Sequence, residues 1–291
     1  MQRSWRRHQR KQSLLFGVRN AVLPLDLRYS NPMSAEKISH AERIQKQFNT
    51  QAEAYAKLSF ASEMAGLQRV AGFTKVGQGD RVLDVACGPG FLTMAIAMTG
   101  ATAVGLDITP AFLAMGQRET RERGIERCSR ARGLVERMPF PDAAFNVSIC
   151  RAAFHHFPDP ATVLAEMKRI TKPGGALYVL DLMSSSDPEK AAAHNAMEKL
   201  CDPTHVKALC ETEFQQMFEA AGLELTDTRH AETTYSFEDW ITHGGPSVKN
   251  IERLRALFQE SLQHDTLGLR IWEEDGAIHF AHPGAAFVLN R

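Results

Sequence analysis

The chain has few cysteines, and none of them are suitably spaced for shared chemistry. Cys87, Cys128, Cys150, Cys201 and Cys210 are scattered, and no two form a C-x-x-C pair. That scatter offers neither a disulfide framework nor a structural zinc site, and no metal is expected. It reads as reduced, mostly buried thiols in a cytoplasmic protein. Net charge is also missing, because 34 Lys+Arg balance 34 Asp+Glu. Without a global field of one sign or a basic groove interleaved with aromatics, nucleic acid is not an expected partner. No apolar run is long enough to span a bilayer, so no integral membrane segment is expected. No internal repeat is seen either. What remains is a 291-residue chain with 44% hydrophobic residues, enough for one large α/β domain with insertions.

Residues 1–33 differ from the rest. Arg3, Arg6, Arg7, Arg10 and Lys11 crowd the start, and Asp26 is the lone nearby acid. The apolar Leu14-Leu15-Phe16 that follows is too short for a secretory signal. The expectation is a disordered basic extension ahead of a start at Met33, with a transit peptide and a weak nucleic-acid arm as alternatives. Residues 34–291 then form a single domain, with cap insertions around 184–210 and 236–267.

The most informative stretch is Arg81-Val82-Leu83-Asp84-Val85-Ala86-Cys87-Gly88-Pro89-Gly90. It reads as a buried parallel strand ending in a carboxylate and breaking into a glycine turn. Phe91 to Met98 continues with helical spacing, so a crevice of nucleotide type opens at the carboxyl end of a strand. A dinucleotide fingerprint would carry a third glycine, but that position is Thr93. Asp84 beside the loop is a poor neighbour for pyrophosphate and a good one for a cation. S-adenosylmethionine, with its sulfonium and ammonium, suits the loop better than NAD. Ala101 to Asp107 reads as a second strand ending in an acid, about 20 residues past the loop, where a ribose-binding carboxylate belongs. Thr109-Pro110 is the better cap for the next helix.

These residues resemble the class I S-adenosylmethionine-dependent methyltransferases of the ubiquinone/menaquinone-biosynthesis-like type (methyltransferase type 11). The resemblance covers roughly residues 42–230. Val82 to Gly90 resembles the first motif, and Val104-Gly105-Leu106-Asp107-Ile108 the ribose-binding strand. Met138 to Val147 resembles the approach to strand four, and Phe154-His155-His156-Phe157-Pro158-Asp159-Pro160 the segment after it. Lys172-Pro173-Gly174-Gly175-Ala176-Leu177 resembles the turn into strand five. One departure stands out. Members often carry an acid followed by alanine to read adenine, and this chain has Gly133-Leu134-Val135-Glu136. Backbone at Leu134 or Val135 is then expected to serve, with Glu136 a possible substitute. The cofactor-binding set is Asp84, Ala86, Gly88, Gly90, Asp107, Ile108, Val135, Glu136 and Arg151. Arg151 is also read as an anchor for an anionic acceptor or as a strand cap.

Elsewhere, 36–58 and 60–74 read as helices, the first with Ile44, Phe48, Ala52 and Tyr55 on one face. The resemblance places this helix over the cofactor. Further strands are expected at 128–133, 145–150, 176–182 and from 223. A closing hairpin is expected around His282-Pro283-Gly284. The fold class is α/β: a Rossmann-like, doubly wound, mostly parallel seven-stranded sheet with a closing antiparallel hairpin and a helical cap.

Methyl transfer from a sulfonium is an in-line displacement that needs position and electrostatics, with a base where the acceptor must lose a proton. Histidine suits that role. Adjacent residues rarely face one way, so at most one of His155 and His156 is expected to face the substrate, and His155 is preferred. His205 is a third candidate, in Cys201-Asp202-Pro203-Thr204-His205-Val206, an element resembling one that covers the acceptor in some members. Loop packing is the plainer reading of His155 and His156. Trp240, Leu254 and Phe258 read as core of the cap. The expected partner is a small, apolar or aromatic methyl acceptor. The alternatives are a cofactor-binding accessory or sensor protein without transfer, and a nicotinamide oxidoreductase. The oligomeric state is not legible.

Overall fold

The computed structural model describes residues 22–23, 35–55 and 63–291. Apart from Val22–Leu23 (β1), the basic segment foreseen at the start lies outside the described residues, as does the side chain of Tyr55.

The helices α1 (Ala35–Tyr55) and α2 (Met64–Phe73) lead into β2 (Arg81–Val85), α3 (Phe91–Ala97), β3 (Thr102–Asp107), α4 (Pro110–Glu122) and β4 (Cys128–Arg132). After β5 (Phe145–Arg151) come a 3₁₀ turn (Phe154–His156), α5 (Pro160–Ile170) and β6 (Thr171–Leu182). The chain continues through α6 (Pro188–Cys201), α7 (Glu211–Ala220), β7 (Glu224–Ser236), α8 (Phe237–Gly244) and α9 (Val248–His264). It closes with β8 (Arg270–Glu274) and β9 (Ala277–Asn290).

The sheet runs β1-β4-β3-β2-β5-β6-β9-β7, with β8 on β9. The β2, β3, β4, β5 and β6 pairings are parallel, and β9 joins β6, β7 and β8 antiparallel. The order turns at β2, so the first βα loop opens at the topological switch point.

Both faces of the sheet are covered, which explains the apolar runs of the central strands. Leu83 and Val85 point to one core and Val82 to the other; Leu177 and Val179 likewise oppose Tyr178. All seven residues of α3 are buried, wedged between sheet and α2. Asp159 and Asp187 start α5 and α6 by the same device. Each carboxylate accepts from first-turn N–H groups, and proline occupies the first helical position. Thr109 precedes α4, but its hydroxyl makes no cap bond, contrary to expectation.

The two cap insertions form one body. Met197 and Cys201 of α6 pack with Phe237, Trp240, Leu254, Phe258 and Phe280 in a third apolar cluster. Phe258 and Phe280 ring centroids lie 4.9 Å apart, and Phe237 and Phe258 5.0 Å. Each buried ring contributes roughly 1.5–3 kcal/mol relative to exposure. Gly244 closes the junction between the insertions, because a Cβ there would lie 2.2 Å from Cys201 Sγ.

The hairpin expected around His282-Pro283-Gly284 is not there. These residues lie inside the continuous strand β9. The turn is Asp275-Gly276, both at positive φ (50° and 75°), between β8 and β9. This is the Asp-Gly pattern favoured in two-residue hairpins. Pro283 is tolerated because its carbonyl accepts from Met183 N at the end of β6, so the donor it lacks faces the sheet margin.

Candidate active site

The carboxyl ends of the parallel strands open on a cavity of about 630 Å³. The strand order lays its wall out in sequence: Asp107 on β3, Ala86 and Gly88 after β2, Arg151 at the end of β5 and His155 in the turn after it, Asp181 on β6, and His282 on β9. Helix α1 roofs it with His40, Ile44 and Phe48.

At the β2–β3 end the glycine loop is held from below. Gly90, at φ 76° and ψ 33°, starts α3 in the left-handed region, where a Cβ would come within 2.9 Å of Arg130. Arg130, only 4% exposed, donates to Thr120 Oγ1 (2.8 Å) and to the carbonyl of Pro89 (3.2 Å). Asp107 accepts from Gly88 N through one oxygen and from Thr109 N through the other, each at 2.8 Å. Each oxygen keeps a second lone-pair direction for a ligand hydroxyl. Asp84 accepts from Thr93 Oγ1 at 2.6 Å. Burial pushes Asp84 up to about 7, against the opposing pull of Thr93 and Arg151. Thr93 thus tethers the strand-end acid as well as replacing a glycine.

The structure sorts the residues foreseen for the cofactor. Ala86, Gly88, Asp107, Ile108, Val135, Glu136 and Arg151 line the cavity, together with Leu134. Asp84 and Gly90 are not among its described lining residues. Asp84 faces a small adjoining pocket that it shares with Ala86, Cys87 and Arg151, and Gly90 acts as the helix cap. Two strand-end carboxylates, a loop with no lysine and an apolar wall fit a cationic adenosyl ligand with a free ribose. They do not suit a pyrophosphate.

In the middle of the wall, His155 Nδ1 meets Asp181 Oδ1 at 2.5 Å. The same carboxylate accepts from the backbone N–H groups of Ala153 (3.1 Å), Phe154 (2.5 Å) and Leu182 (2.7 Å). It therefore fixes both the imidazole and the 3₁₀ turn that carries it. Burial pulls His155 down, but the charge and hydrogen bond of Asp181 more than offset it, leaving the imidazole above its ordinary value. Burial likewise pushes Asp181 up, and His155 with the backbone donors brings it below the usual carboxylate range.

His156 also lines the cavity, contrary to the expectation that only one of the pair would. Successive residues of a 3₁₀ turn are about 120° apart rather than opposed as in a strand, and the two ring centroids lie 4.2 Å apart. Nδ1 of His156 donates to the carbonyl of Thr204 (3.1 Å). Burial, then the neighbouring His155 charge, lowers His156 to about 4. His205 is not among the described lining residues. It stacks behind His155, with centroids 5.6 Å apart, and Nε2 donates to Asn195 Oδ1 at 2.8 Å. Burial and His155 lower it to about 3. Asp202 Oδ2 lies 4.0 Å from His156 Nε2, but of the three imidazoles only His155 is held above its ordinary value.

Asp181, Glu198 and His282 went unmarked in the sequence. Asp181 had a usable signal: it ends an apolar strand, as Asp84 and Asp107 do. Glu198 and His282 come from α6 and β9 and meet only in three dimensions.

Residues 83–179 match the methyltransferase domain family. The uncharacterized methyltransferase YcgJ of Bacillus subtilis is 31% identical over 165 residues, 57% of this chain and 65% of its own length. The ubiquinone biosynthesis O-methyltransferase of Pseudomonas putida strain W619 is 34% identical over 157 residues, 51% of this chain and 66% of its own. The chain thus spans just under two thirds of these two relatives. The crystal structure of B. subtilis YcgJ superposes with a TM-score of 0.70 at 25% identity, covering 77% of this chain and 97% of that one. S-adenosylmethionine is the cofactor that this fold and domain carry. With the strand order and the first βα loop already described, these matches show a methyltransferase domain over residues 83–179, on the fold of the class I S-adenosylmethionine-dependent methyltransferases.

Proposed function

We propose that the protein transfers a methyl group from S-adenosylmethionine to the hydroxyl of a small, largely apolar or aromatic molecule. The observation that carries this reading is the single cavity joining Asp107 and the glycine loop to the His155–Asp181 pair. When bound, S-adenosylmethionine supplies an activated methyl on a cationic sulfur. Asp107 and the Gly88 loop hold the ribose, Leu134 and Val135 bracket the adenine, and Asp84 supplies negative potential near the ammonium.

His155 takes the acceptor proton. Its Nδ1–H is committed to Asp181, so Nε2 is the nitrogen that accepts, and the carboxylate stabilises the imidazolium that forms. Phe48, Phe112 and Trp240 supply flat apolar surface for a ring. The O-methyltransferase relative from P. putida supports an oxygen acceptor.

The first test is calorimetric titration with S-adenosylhomocysteine, with NAD as control, followed by methyl-transfer assays on small aromatic alcohols and phenols. Micromolar binding of the adenosyl ligand alone, with transfer to at least one phenol, is expected. Binding without transfer to any hydroxyl acceptor, while an amine or carbon acceptor reacts, would replace the acceptor class.

A further inference from the structure

At the far end of the cavity, two histidines and a glutamate converge without the hydrogen bonds their burial demands. His194 and Glu198 lie one turn apart on α6, on the same face. His282 reaches them from β9. His282 Nε2 lies 2.9 Å from Glu198 Oε1, and His194 Nε2 lies 3.7 Å from it. His194 is 0% exposed, and Glu198 and His282 are 6% exposed.

Neither ring nitrogen of His194 has a hydrogen-bond partner, nor do His282 Nδ1 and Glu198 Oε1. The approach of His282 to Glu198 is close enough for charge pairing, but its angle makes no hydrogen bond. Buried polar atoms are paired in more than about 90% of cases, so four orphans in one cluster call for a missing partner. Three potential ligand atoms lie within 4.8 Å of one another, the one such buried group among the described residues.

From this we infer that His194, Glu198 and His282 form a zinc-class metal site at the acceptor end of the cavity. Two imidazoles and a carboxylate suit a divalent transition metal of the cobalt-to-zinc range. Tetrahedral zinc with bonds of about 2.0–2.2 Å sets its ligands roughly 3.3 Å apart, and the two distances to Glu198 bracket that value. The ion takes up Nε2 of both histidines and Oε1 of Glu198.

The direction of the site follows from its walls. Glu198 and His282 line the cavity and His194 lies behind them, so the protein ligands sit on one side and the open position faces the cavity. That is the arrangement of a reactive zinc centre rather than a closed structural one. The outer ring nitrogens reach no protein partner. Such partners tighten metal sites about 10–100-fold, so affinity is expected to fall short by that factor of a site that has them. The metal site stands apart from the methyl-transfer reading. Its use, polarising an acceptor oxygen, rests on that reading.

The test is titration of chelator-stripped, full-length protein with Co²⁺, read by the visible ligand-field bands of four-coordinate cobalt, then displaced with Zn²⁺. One equivalent should bind, and the bands should vanish in both His194→Leu and Glu198→Gln. Wild-type protein also gains thermal stability with Zn²⁺, and the variants do not. Absence of bands in stripped wild-type protein, or bands that persist in both variants, overturns the site. S-adenosylhomocysteine binding is measured on the same samples. Its loss with the bands intact counts against the cofactor reading and leaves the metal site standing.

Discussion

At the β2–β3 end of the cavity, Asp107 has a backbone N–H on each oxygen and Asp84 has a threonine hydroxyl. At the β6–β9 end, His194, Glu198 and His282 are as deeply buried yet leave four polar atoms without a hydrogen-bond partner. The first end is finished as it stands, with acids pre-set by the chain's own donors to receive a known kind of ligand. The second is built from side chains that still need something. The His155–Asp181 pair between them shares both characters: the carboxylate is fully engaged, and the imidazole keeps one nitrogen for exchange. Hydrogen-bond satisfaction therefore declines from the β2–β3 end to the β6–β9 end, which on the proposed reading is from the cofactor side to the acceptor side.

Breaking the middle of this gradient should have the largest effect. Asp181→Asn removes the charge that orients and supports His155, and kcat should fall by about 10²–10⁴-fold. The pH profile carries the diagnostic. As the proposed base, His155 must be neutral to act, so on that reading activity rises with pH through a value above the ordinary 6.5. In the variant that limb should move to lower pH, because the influence holding the imidazolium is gone. A fall in kcat with an unmoved limb would make Asp181 a scaffold for the turn alone.

The cofactor end should respond more narrowly. Asp107→Ala removes the acceptor proposed for the ribose, so S-adenosylhomocysteine affinity should weaken by at least about 1.5 kcal/mol, roughly tenfold. Turnover at saturating S-adenosylmethionine should change far less. Unchanged affinity by calorimetry would take the ribose away from Asp107.

The smallest effect concerns pH and that same affinity. Asp84 titrates at about 7 because it is buried, so below that pH it is largely neutral. A ligand bearing an ammonium binds the ionised form better. Its Kd should therefore rise as pH falls from 8 to 6, by up to about tenfold. Asp84→Asn should flatten the curve, and an equally steep curve in that variant would assign the dependence to another group.

The gradient also governs what could be seen in the sequence. Asp84, Gly88 and Asp107 lie within two βα units, so their spacing reports their geometry. Asp181 was within reach, since it closes a strand as they do. His194, Glu198 and His282 come from an inserted helix and a late strand, and no spacing links them. His155 and His156 are legible as candidates from their place after β5, but the 3₁₀ turn that lets both face the cavity leaves no spacing signal in the sequence. His282-Pro283-Gly284 has the composition of a turn, yet the turn is made by Asp275-Gly276. With a free margin at Met183, a strand can absorb a proline, whereas two consecutive left-handed residues can only turn.

Strand β9 carries a consequence for how the molecule comes into being. It is the latest element in the chain order, yet it lies between β6 and β7, pairs with β8 and contributes Phe280 to the cap cluster. On a ribosome, β2 to β6 and the glycine loop emerge and can dock with one another while this strand is still being made. The acceptor end, the cap and His282 wait for it. On the proposed reading, the parts that hold the methyl donor thus precede in the chain the strand that completes the acceptor end.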